Sequence, residues 1–376
     1  MRHVILLSHG FQPEYEAGYA NGIARNGVAV TLVGSDTTLA DRLEPGVHLI
    51  NLRGSQRPDR SRGEKLCNLT RYFFSYFFLL GRRRGIPVHV IGQFSTGNLW
   101  VSMVEAWVTR LLTGGYILTV HNLLPHDRHT ANNIRLSYWI YHSATHLMVH
   151  TSRMRQELCR HFAIDPEKVI VVEHGIDRLL PDIGCMRQAM RAKLGICSAE
   201  RVLLFFGGIA RYKGLDVLLR AFTLLTAETV DRLVIAGRCR DRVLFMKLQS
   251  ILNTHPRRDA IVWRDGYIDE EEVASIFHAA DMLVMPYRHI DQSGVIFMAL
   301  ATGLPVVVTD VGSLPDYVPA GPRAVARAGS PEALASCIKD LMDNPAINAS
   351  KPDVDQYLWH RTVGAILDFY GRMEEP

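Results

Sequence analysis

The chain has 376 residues, 48% of them hydrophobic and 21% charged, and a formal net charge of +4. This length predicts two domains, and the composition excludes a disordered or fibrous protein. The six cysteines are scattered without metal-ligand spacing, so we expect thiols in a reducing compartment and neither disulfides nor a zinc site.

The first ten residues, MRHVILLSHG, contain an apolar run too short for a signal peptide and indicate a β-strand over 4–7. No stretch approaches the length of a membrane-spanning helix, so we expect a cytoplasmic protein. Further strands are predicted over 28–33, 88–91, 116–120 and 146–150, with helices between them that include 18–26 and 98–112. Strands separated by helices are typical of parallel βαβ units and predict a doubly wound sheet.

Residues 53–84 carry nine basic and two acidic side chains, so we expect an anionic partner. Within this segment, RYFFSYFFLLGRRRG (71–85) joins four phenylalanines to three arginines: Phe73, Phe74, Phe77, Phe78, Arg82, Arg83 and Arg84. Aromatic bulk beside a basic cluster fits an interfacial helix on an anionic membrane leaflet. The alternative is a buried helix with a solvated basic end. The two interpretations are compatible if one face of the helix packs on the protein while its tip contacts lipid. A nucleic-acid partner is disfavoured because the aromatic residues are not interleaved with the cations.

The alternating pattern restarts after a span rich in glycine and proline at 175–184. Strands are predicted over 202–206, 232–236, 260–263, 282–285 and 305–309, with helices that include 215–225 and 270–279. We therefore expect two doubly wound domains, 1–178 and 179–353, with ligand at the carboxyl ends of their strands. Residues 354–376 are predicted to form a helix that packs back on the first domain.

Two segments of the second half suit a diphosphate. FFGGIARYKGLDVLLRAF (205–222) sets Arg211 and Lys213 beside a glycine turn, although a solvated loop with ordinary surface charges is the alternative. SGVIFMALATGLPVVVTDVG (293–312) predicts a helix that begins at Ser293-Gly294 and ends at Gly303. A helix N-terminus offers unpaired N–H groups and partial positive charge, and a glycine there lets phosphate approach the backbone.

These two segments and GYIDEEEVASIFHAADMLVMPY (266–287) resemble the donor half of GT-B glycosyltransferases, close to glycosyltransferase family 4. In the first half, LTVHNLLPHD (118–127) and VVEHGID (171–177) resemble segments of the same family. The resemblance spans nearly the whole chain. It implies two Rossmann-like domains facing across a cleft and a sugar transferred from a nucleotide-diphosphate sugar, with no metal or other cofactor.

The resemblance also implies roles for individual residues. Arg211 and Lys213 would contact the donor diphosphate and stabilise the leaving group. The remaining donor contacts would come from His174, Gly266, Tyr267, Ile268, Asp291, Gln292, Ser293, Gly294 and Val295. Gly10 lies in the loop after the first strand, where it would let the donor approach closely, and an ordinary turn is the alternative. His121 lies where related enzymes place a histidine near the donor sugar. His126, Asp127 and Glu16 are the other acid–base candidates, although any of the 16 histidines is more often structural or solvated.

This sequence departs from the family at two positions, where the family has a pair of glutamates separated by seven residues. Met298 occupies the place of the second, which contacts the nucleotide ribose in the family, and Asp291 lies near the first. Another residue must therefore make the ribose contact, or it is absent. The usual argument for retention of sugar configuration is also lost.

The expected function is transfer from a GDP- or UDP-sugar to a membrane-presented, lipid-linked oligosaccharide of bacterial exopolysaccharide or surface-polysaccharide biosynthesis. The expected location is the inner face of the cell membrane, with peripheral attachment to its anionic surface. One alternative is a GT-B protein that binds nucleotide-sugars without catalysis. A dinucleotide oxidoreductase is disfavoured because neither domain has G-x-G-x-x-G in its first turn.

Overall fold

The computed structural model describes residues 3–8, 10, 12–57, 59–82, 85–92, 99–123, 130–176, 184–318, 321–344 and 354–373. The chain divides into two compact units. The first comprises Met1–Asp177 with Gln356–Pro376, and the second comprises Arg178–Asp355.

A parallel sheet forms the centre of the first unit. Its described strands are β1 (His3–Leu7), β2 (Ala29–Gly34), β3 (Val47–Asn51), β4 (Val88–Val90), β5 (Ile117–Thr119), β6 (His146–Val149) and β7 (Val169–Val171). They are ordered β3-β2-β1-β4-β5-β6-β7, and all neighbours are parallel. The strands β3 and β7 were not predicted. Both are edge strands, one only half-buried and the other three residues long, so neither gives a long apolar run.

Helices cover this sheet: α1 (Pro13–Arg25), α2 (Arg62–Arg82), α3 (Leu99–Thr113), α4 (Ala131–Ser143) and α5 (Ser152–Phe162). The first of them begins five residues before the predicted bound. Proline suits this start, because the first N–H groups of a helix have no intrahelical acceptor.

The second unit repeats the architecture. Its described strands are β8 (Val202–Phe206), β9 (Arg232–Ala236), β10 (Ile261–Arg264), β11 (Met282–Met285), β12 (Val306–Thr309) and β13 (Val325–Ala326). They are ordered β10-β9-β8-β11-β12-β13 and are again parallel. The helices are α6 (Gly184–Lys193), α7 (Leu215–Leu224), α8 (Arg242–Asn253), α9 (Glu270–Ala279), α10 (Gly294–Thr302) and α11 (Pro331–Asp343).

Both sheets reverse their strand order beside their first strand, between β1 and β4 and between β8 and β11. Ligands of doubly wound sheets bind outside the carboxyl ends of the strands at this point. The predicted fold class, two doubly wound parallel sheets, is confirmed.

The segment 354–373 is broken into short pieces, where one helix was predicted. A 3-10 turn (Val354–Tyr357) is followed by α12 (Trp359–Thr362) and α13 (Gly364–Met373). The break arises at Leu358, whose extended backbone forms a parallel bridge with Ile176. The side chains of Trp359, Val363, Ile366 and Tyr370 lie in the core of the first unit.

Trp359 is 2% exposed and fits against three glycines. A Cβ would lie 2.4 Å from the indole at Gly18, 2.8 Å from Trp359 Cβ at Gly22, and 2.2 Å from the indole at Gly175. The two α1 positions are one helical turn apart, so they leave a notch that the indole fills.

Replacement of Trp359 by alanine is expected to lower the free energy of unfolding by about 3–5 kcal/mol, because it empties this notch. Urea titration followed by circular dichroism measures the change. Trp107→Ala is the matched control, since Trp107 is 59% exposed and its loss is expected to change stability by about 0.5 kcal/mol or less. Equal losses in the two variants would contradict the packing argument.

Candidate functional site

A loop with two cations follows β8, the strand beside the reversal of the second sheet. Gly207 starts it with φ +99°, and a Cβ there would lie 2.9 Å from Nζ of Lys213. Residues Arg211–Lys213 form one 3-10 turn, and Gly214 then enters α7 with φ +67°. A Cβ at Gly214 would lie 2.0 Å from the carbonyl oxygen of Pro286, so only glycine permits this approach of the two loops.

Lys213 is a buried cation at this edge of the sheet. The residue is only 8% exposed, and burial lowers the pKa of its ammonium group. Nζ lies 5.5 Å from the centroid of the Tyr287 ring. Within the described ranges, no carboxylate lies within 4.0 Å of Nζ. A buried ammonium in this setting is strongly stabilised by an anion that reaches it.

Arg211 lies on the solvent side of the same turn, with its side chain 65% exposed. Its Nε donates to Oδ2 of Asp241 at 3.2 Å. Asp241 is itself held, because its Oδ1 accepts hydrogen bonds from the first turn of α8. This contact uses Nε alone, so the terminal nitrogens of Arg211 keep their donors for a second anion.

The start of α10 lies beside Lys213. Ser293 precedes the helix, is 8% exposed and makes no side-chain cap. Its Oγ lies 3.5 Å from the hydroxyl oxygen of Tyr287, whose pKa burial raises to about 12. A Cβ at Gly294 would have nothing within 4 Å, so the space over this helix start is open. Tyr287 thus contacts both the buried ammonium and the serine before the helix.

The predicted phosphate-binding residues are therefore brought together. A Cβ at Gly207 would also lie 3.6 Å from Cγ2 of Val295, in the first turn of α10. A buried cation, an exposed guanidinium and a helix N-terminus with partial positive charge share one edge of the sheet. Such a set can bind a diphosphate.

A further arginine, which was not singled out from the sequence, fixes the 211–213 turn at this edge of the sheet, and we call its contacts the clamp. Arg288 donates from Nη1 to the carbonyl oxygen of Arg211 at 2.9 Å. The same guanidinium forms a two-point ion pair with Asp216, at 2.8 Å to Oδ1 and 2.9 Å to Oδ2. Burial would raise the pKa of Asp216, but the hydrogen bond and charge of Arg288 and the charge of Lys247 lower it. The clamp thus fixes the 211–213 turn to the loop before α10.

Replacement of Arg288 by alanine is expected to raise the KM for the donor about tenfold, a change of about 1.4 kcal/mol, because the turn that carries Arg211 loses its anchor. The kcat is expected to fall less. Steady-state kinetics with varied donor measures both constants. Asp216→Asn is expected to reproduce the change, and exposed Arg220→Ala on α7 is the control. An unchanged KM in Arg288→Ala would contradict the positioning role.

The other predicted donor residues lie at the same edge or further along the sheet. Gly266 and Ile268 are half-buried, and Tyr267 is 82% exposed. They follow β10, which lies two strands from β8 in the sheet, a separation of about 10 Å. This separation suits a nucleobase joined through ribose to a diphosphate that is bound at the 211–213 turn. Asp291 accepts hydrogen bonds at its backbone oxygen from Ser313. Gln292 has a buried Nε2 without a hydrogen-bond partner among the described residues.

In the first unit, three histidines follow successive strands: His121 after β5, His150 after β6 and His174 after β7. Their ring centroids lie 4.8, 5.5 and 5.4 Å from that of Tyr15 on α1. Burial lowers the pKa of His121 to about 4 and that of His174 to about 3, and it lowers the pKa of His150 as well. The three imidazoles are therefore neutral near pH 7. His150 was not singled out from the sequence, although it follows its strand as His121 does.

The tautomers of these rings follow from their acceptors. Nε2 of His121 lies 2.7 Å from the carbonyl oxygen of Ile91, so Nε2 carries the proton and Nδ1 the lone pair. Nδ1 of His150 donates to the carbonyl oxygen of Val172 at 2.8 Å. Its Nε2 is buried without a hydrogen-bond partner in the described part of the chain.

Glu16 is fully buried, and hydroxyl groups bond both of its carboxylate oxygens. Oε1 accepts from Ser8, and Oε2 accepts from Thr38 at 2.9 Å. This joins the end of β1 to the loop after β2. Gly10 is needed there, because at φ +76° a Cβ would lie 2.1 Å from Oγ of Ser35. A catalytic role for Glu16 stays a prediction, and His126 and Asp127 lie outside the described residues.

The two faces of α2 differ in exposure, and the membrane contact of its outer face stays a prediction. Tyr72, Tyr76 and Leu80 are buried, whereas Phe74, Phe77 and Phe78 are 74%, 40% and 62% exposed. Phe73 packs partly on the core, and Arg82 is exposed. Arg83 and Arg84 lie outside the described residues. Among the described helices, none is both long enough and apolar enough to cross a membrane. In the same residues, no cluster of His, Cys, Asp and Glu is arranged to hold a metal ion.

Two family models match the chain: "Glycosyltransferase Family 4" over residues 17–178 and "Glycosyl transferases group 1" over 200–344. A "D-inositol 3-phosphate glycosyltransferase" of Arthrobacter sp. (strain FB24) is 30% identical over 95% of this chain and 88% of its own length. The matched region spans only about half, 52–54%, of the first three curated relatives.

Solved structures of the same fold include sucrose-phosphate synthase from Thermosynechococcus elongatus, with TM-score 0.76, 19% identity and 99% of both chains covered. Anabaena HepE in complex with UDP has TM-score 0.73 and 14% identity, over 98% of this chain and 100% of that chain. The family models and the Arthrobacter relative together account for nearly the whole sequence. The chain belongs to the GT-B glycosyltransferases, as a member of the family 4 type.

Proposed function

We propose that the protein transfers a sugar from a nucleotide-diphosphate sugar, held by its diphosphate on the second unit, to an acceptor hydroxyl. The carrying observation is Lys213, a buried cation beside the open start of α10. The fold of the UDP complex of HepE supports a nucleotide donor of this class.

Charge development explains the arrangement. When the bond from sugar to phosphate breaks, negative charge grows on the leaving nucleoside diphosphate. Lys213, Arg211 and the first N–H groups of α10 would stabilise that charge without reorientation, because their positions are already set by Tyr287, Asp241 and Arg288. These groups would stabilise the leaving group without a metal ion.

The acceptor must lose a proton as its oxygen attacks the sugar carbon. His121 is the described candidate for this proton, since its imidazole is neutral and Nδ1 carries the lone pair. His126 and Asp127 stay candidates from the sequence.

For the acceptor, we propose a lipid-linked oligosaccharide of bacterial exopolysaccharide or surface-polysaccharide biosynthesis, presented at the inner face of the membrane. The exposed phenylalanines of α2 support it. A soluble inositol phosphate is the second candidate, favoured by the name of the Arthrobacter relative.

Release of nucleoside diphosphate tests the proposal. UDP- and GDP-sugars are supplied with an inositol phosphate, with a bacterial lipid extract, or with neither. Release that requires the lipid extract supports the full proposal, whereas release that requires inositol phosphate supports the second acceptor. Binding of a nucleoside diphosphate with no release from any donor would overturn it in favour of a non-catalytic protein.

A further inference from the structure

We propose that α2, α3 and α4 together form one lipid-binding face that rests on a bilayer with anionic headgroups. This face, the three-helix face, consists of the exposed apolar side chains of these helices and the basic side chains around them. It extends the membrane contact expected for α2 to two further helices. Only the purpose of this contact, which is to bring a lipid-linked acceptor to the enzyme, rests on the proposed function.

The strongest observation is the orientation of α3. Its exposed side chains are Trp100, Val104, Trp107 and Leu111, which are 59%, 53%, 59% and 60% exposed. Spacings of four, three and four residues put them in one stripe along the helix. The opposite side buries Ser102, Glu105 and Thr109. The helix therefore buries these polar side chains beside the apolar Ala106 and turns two tryptophans outward, which reverses the usual placement of Glu and Trp on a helix in water.

Hydrogen bonds hold this reversed orientation. The hydroxyl of Tyr72 donates to Oε1 of Glu105 at 2.5 Å, and the hydroxyl oxygens of Tyr76 and Thr109 lie 2.6 Å apart. These bonds join α2 to α3 through polar groups, and the phenylalanines of α2 are left on the outer side. Because buried polar groups need partners, rotation of α3 to hide its tryptophans would break both bonds.

The exposed face continues onto α4, where Ile134, Tyr138 and Trp139 are 42%, 39% and 58% exposed. Arg110 of α3 donates to the carbonyl oxygen of Ser143 at 2.8 Å, so the two helices adjoin. Among the described residues, these three helices carry eleven of the fifteen large hydrophobic side chains that are exposed. The exposure is thus concentrated in one patch, which marks an interaction site.

The charge of the three-helix face indicates which kind of partner binds to it. The exposed basic side chains on these helices are Lys65, Arg71, Arg82, Arg110 and Arg135. The acidic residues of the same helices are Glu64 at the start of α2 and the buried Glu105. In a symmetric dimer through this face, the basic groups would meet with little acid to pair them. Anionic lipid headgroups pair with them instead, and Trp and Tyr are favoured at the boundary between headgroup and hydrocarbon.

Vesicle sedimentation of the full chain tests the face. Vesicles of phosphatidylcholine alone are compared with vesicles of equal parts phosphatidylcholine and phosphatidylglycerol. We expect binding to the anionic vesicles and at least tenfold weaker binding in the double variant Trp100→Ser/Trp107→Ser. Arg71→Glu/Arg135→Glu is expected to weaken binding to anionic vesicles by a similar factor. Val243→Ser/Met246→Ser, which changes two exposed apolar residues of α8, is the matched control.

Two readouts separate the possible failures. Thermal stabilisation by UDP or GDP is expected to be equal in wild type and variants, so loss of vesicle binding with retained nucleotide binding is specific to the face. Quenching of tryptophan fluorescence by brominated phosphatidylcholine, in vesicles that also contain phosphatidylglycerol, is expected in wild type and reduced in Trp100→Ser/Trp107→Ser. Unchanged sedimentation of these variants would overturn the proposal. So would a wild-type dimer that Trp100→Ser/Trp107→Ser dissociates, which assigns the face to a second copy.

Discussion

Lys213→Met is expected to lower turnover of the donor by about 10²–10³-fold, the usual cost of removing one preorganised group that stabilises developing charge. The physical reason is the burial of the ammonium beside the start of α10, where few water molecules can replace it. The ligand-free variant is expected to be at least as stable as the wild type, because a buried charge without a carboxylate partner costs free energy. This combination of lost activity and kept stability is typical of a site built for an anion.

Three measurements check this expectation. Release of nucleoside diphosphate gives turnover, calorimetric titration with UDP or GDP gives affinity, and urea titration gives the free energy of unfolding. Lys339→Met removes an exposed cation from α11 and is expected to change none of them. Near-normal turnover in Lys213→Met would refute the role of the lysine, and loss of stability would assign it a structural one.

The first unit is expected to lose stability steeply as the pH falls from 6.5 to 5. Burial lowers the pKa of His89 and His174 to about 3 and that of His121 to about 4. An unfolded histidine has a pKa of about 6.5, so below this pH the unfolded chain binds protons that the folded chain does not. The pKa values are lower in the folded state, so this stability is fully present above pH 6.5 and lost as the pH falls. At pH 5 the loss is about 2 kcal/mol for each of these histidines.

Urea titrations at several pH values between 7.5 and 5 measure this loss, in a window above the titration of most carboxylates. In His150→Asn, the amide keeps a donor for the carbonyl oxygen of Val172 but removes one titrating group. In this variant, the free energy of unfolding is expected to fall less steeply with decreasing pH, by about 1.4 kcal/mol per pH unit. His161→Gln changes an exposed histidine of α5 and should leave the slope unaltered. A flat free energy across this range would contradict the neutral, buried state of the cluster.

Sequence patterns predicted the parts of the molecule that depend on local order. The central strands are long apolar runs, and Gly303 at φ +68° ends α10 where predicted. The candidate phosphate-binding residues could also be selected from the sequence, because glycines, cations and a helix start fall close together in two short segments. Topology then brought the two segments side by side.

What escaped prediction depends on contacts between distant residues. The periodicity of α3 shows that Trp100 and Trp107 share a face but not whether that face points inward, which the partners of Glu105 and Thr109 decide. Likewise, Arg288 is one arginine among many until the fold sets it against Asp216. Met298 and Asp291 mark the departure from the family glutamates. Which residue would contact the ribose instead likewise depends on contacts between distant residues, which the sequence alone does not reveal.

The packing of Trp359 has a consequence for biosynthesis. The ribosome makes the strands of the first unit before the second unit. The side chains that complete the core around these strands are synthesised more than 180 residues after β7, and they are Trp359, Val363, Ile366 and Tyr370. The nascent first unit must wait with its α1 notch empty while all of the second unit emerges and can fold as a contiguous stretch. The first unit, whose strands are synthesised earlier, therefore completes its core after the second unit, and in cells short of chaperones we expect proteolysis of the first unit before that of the second.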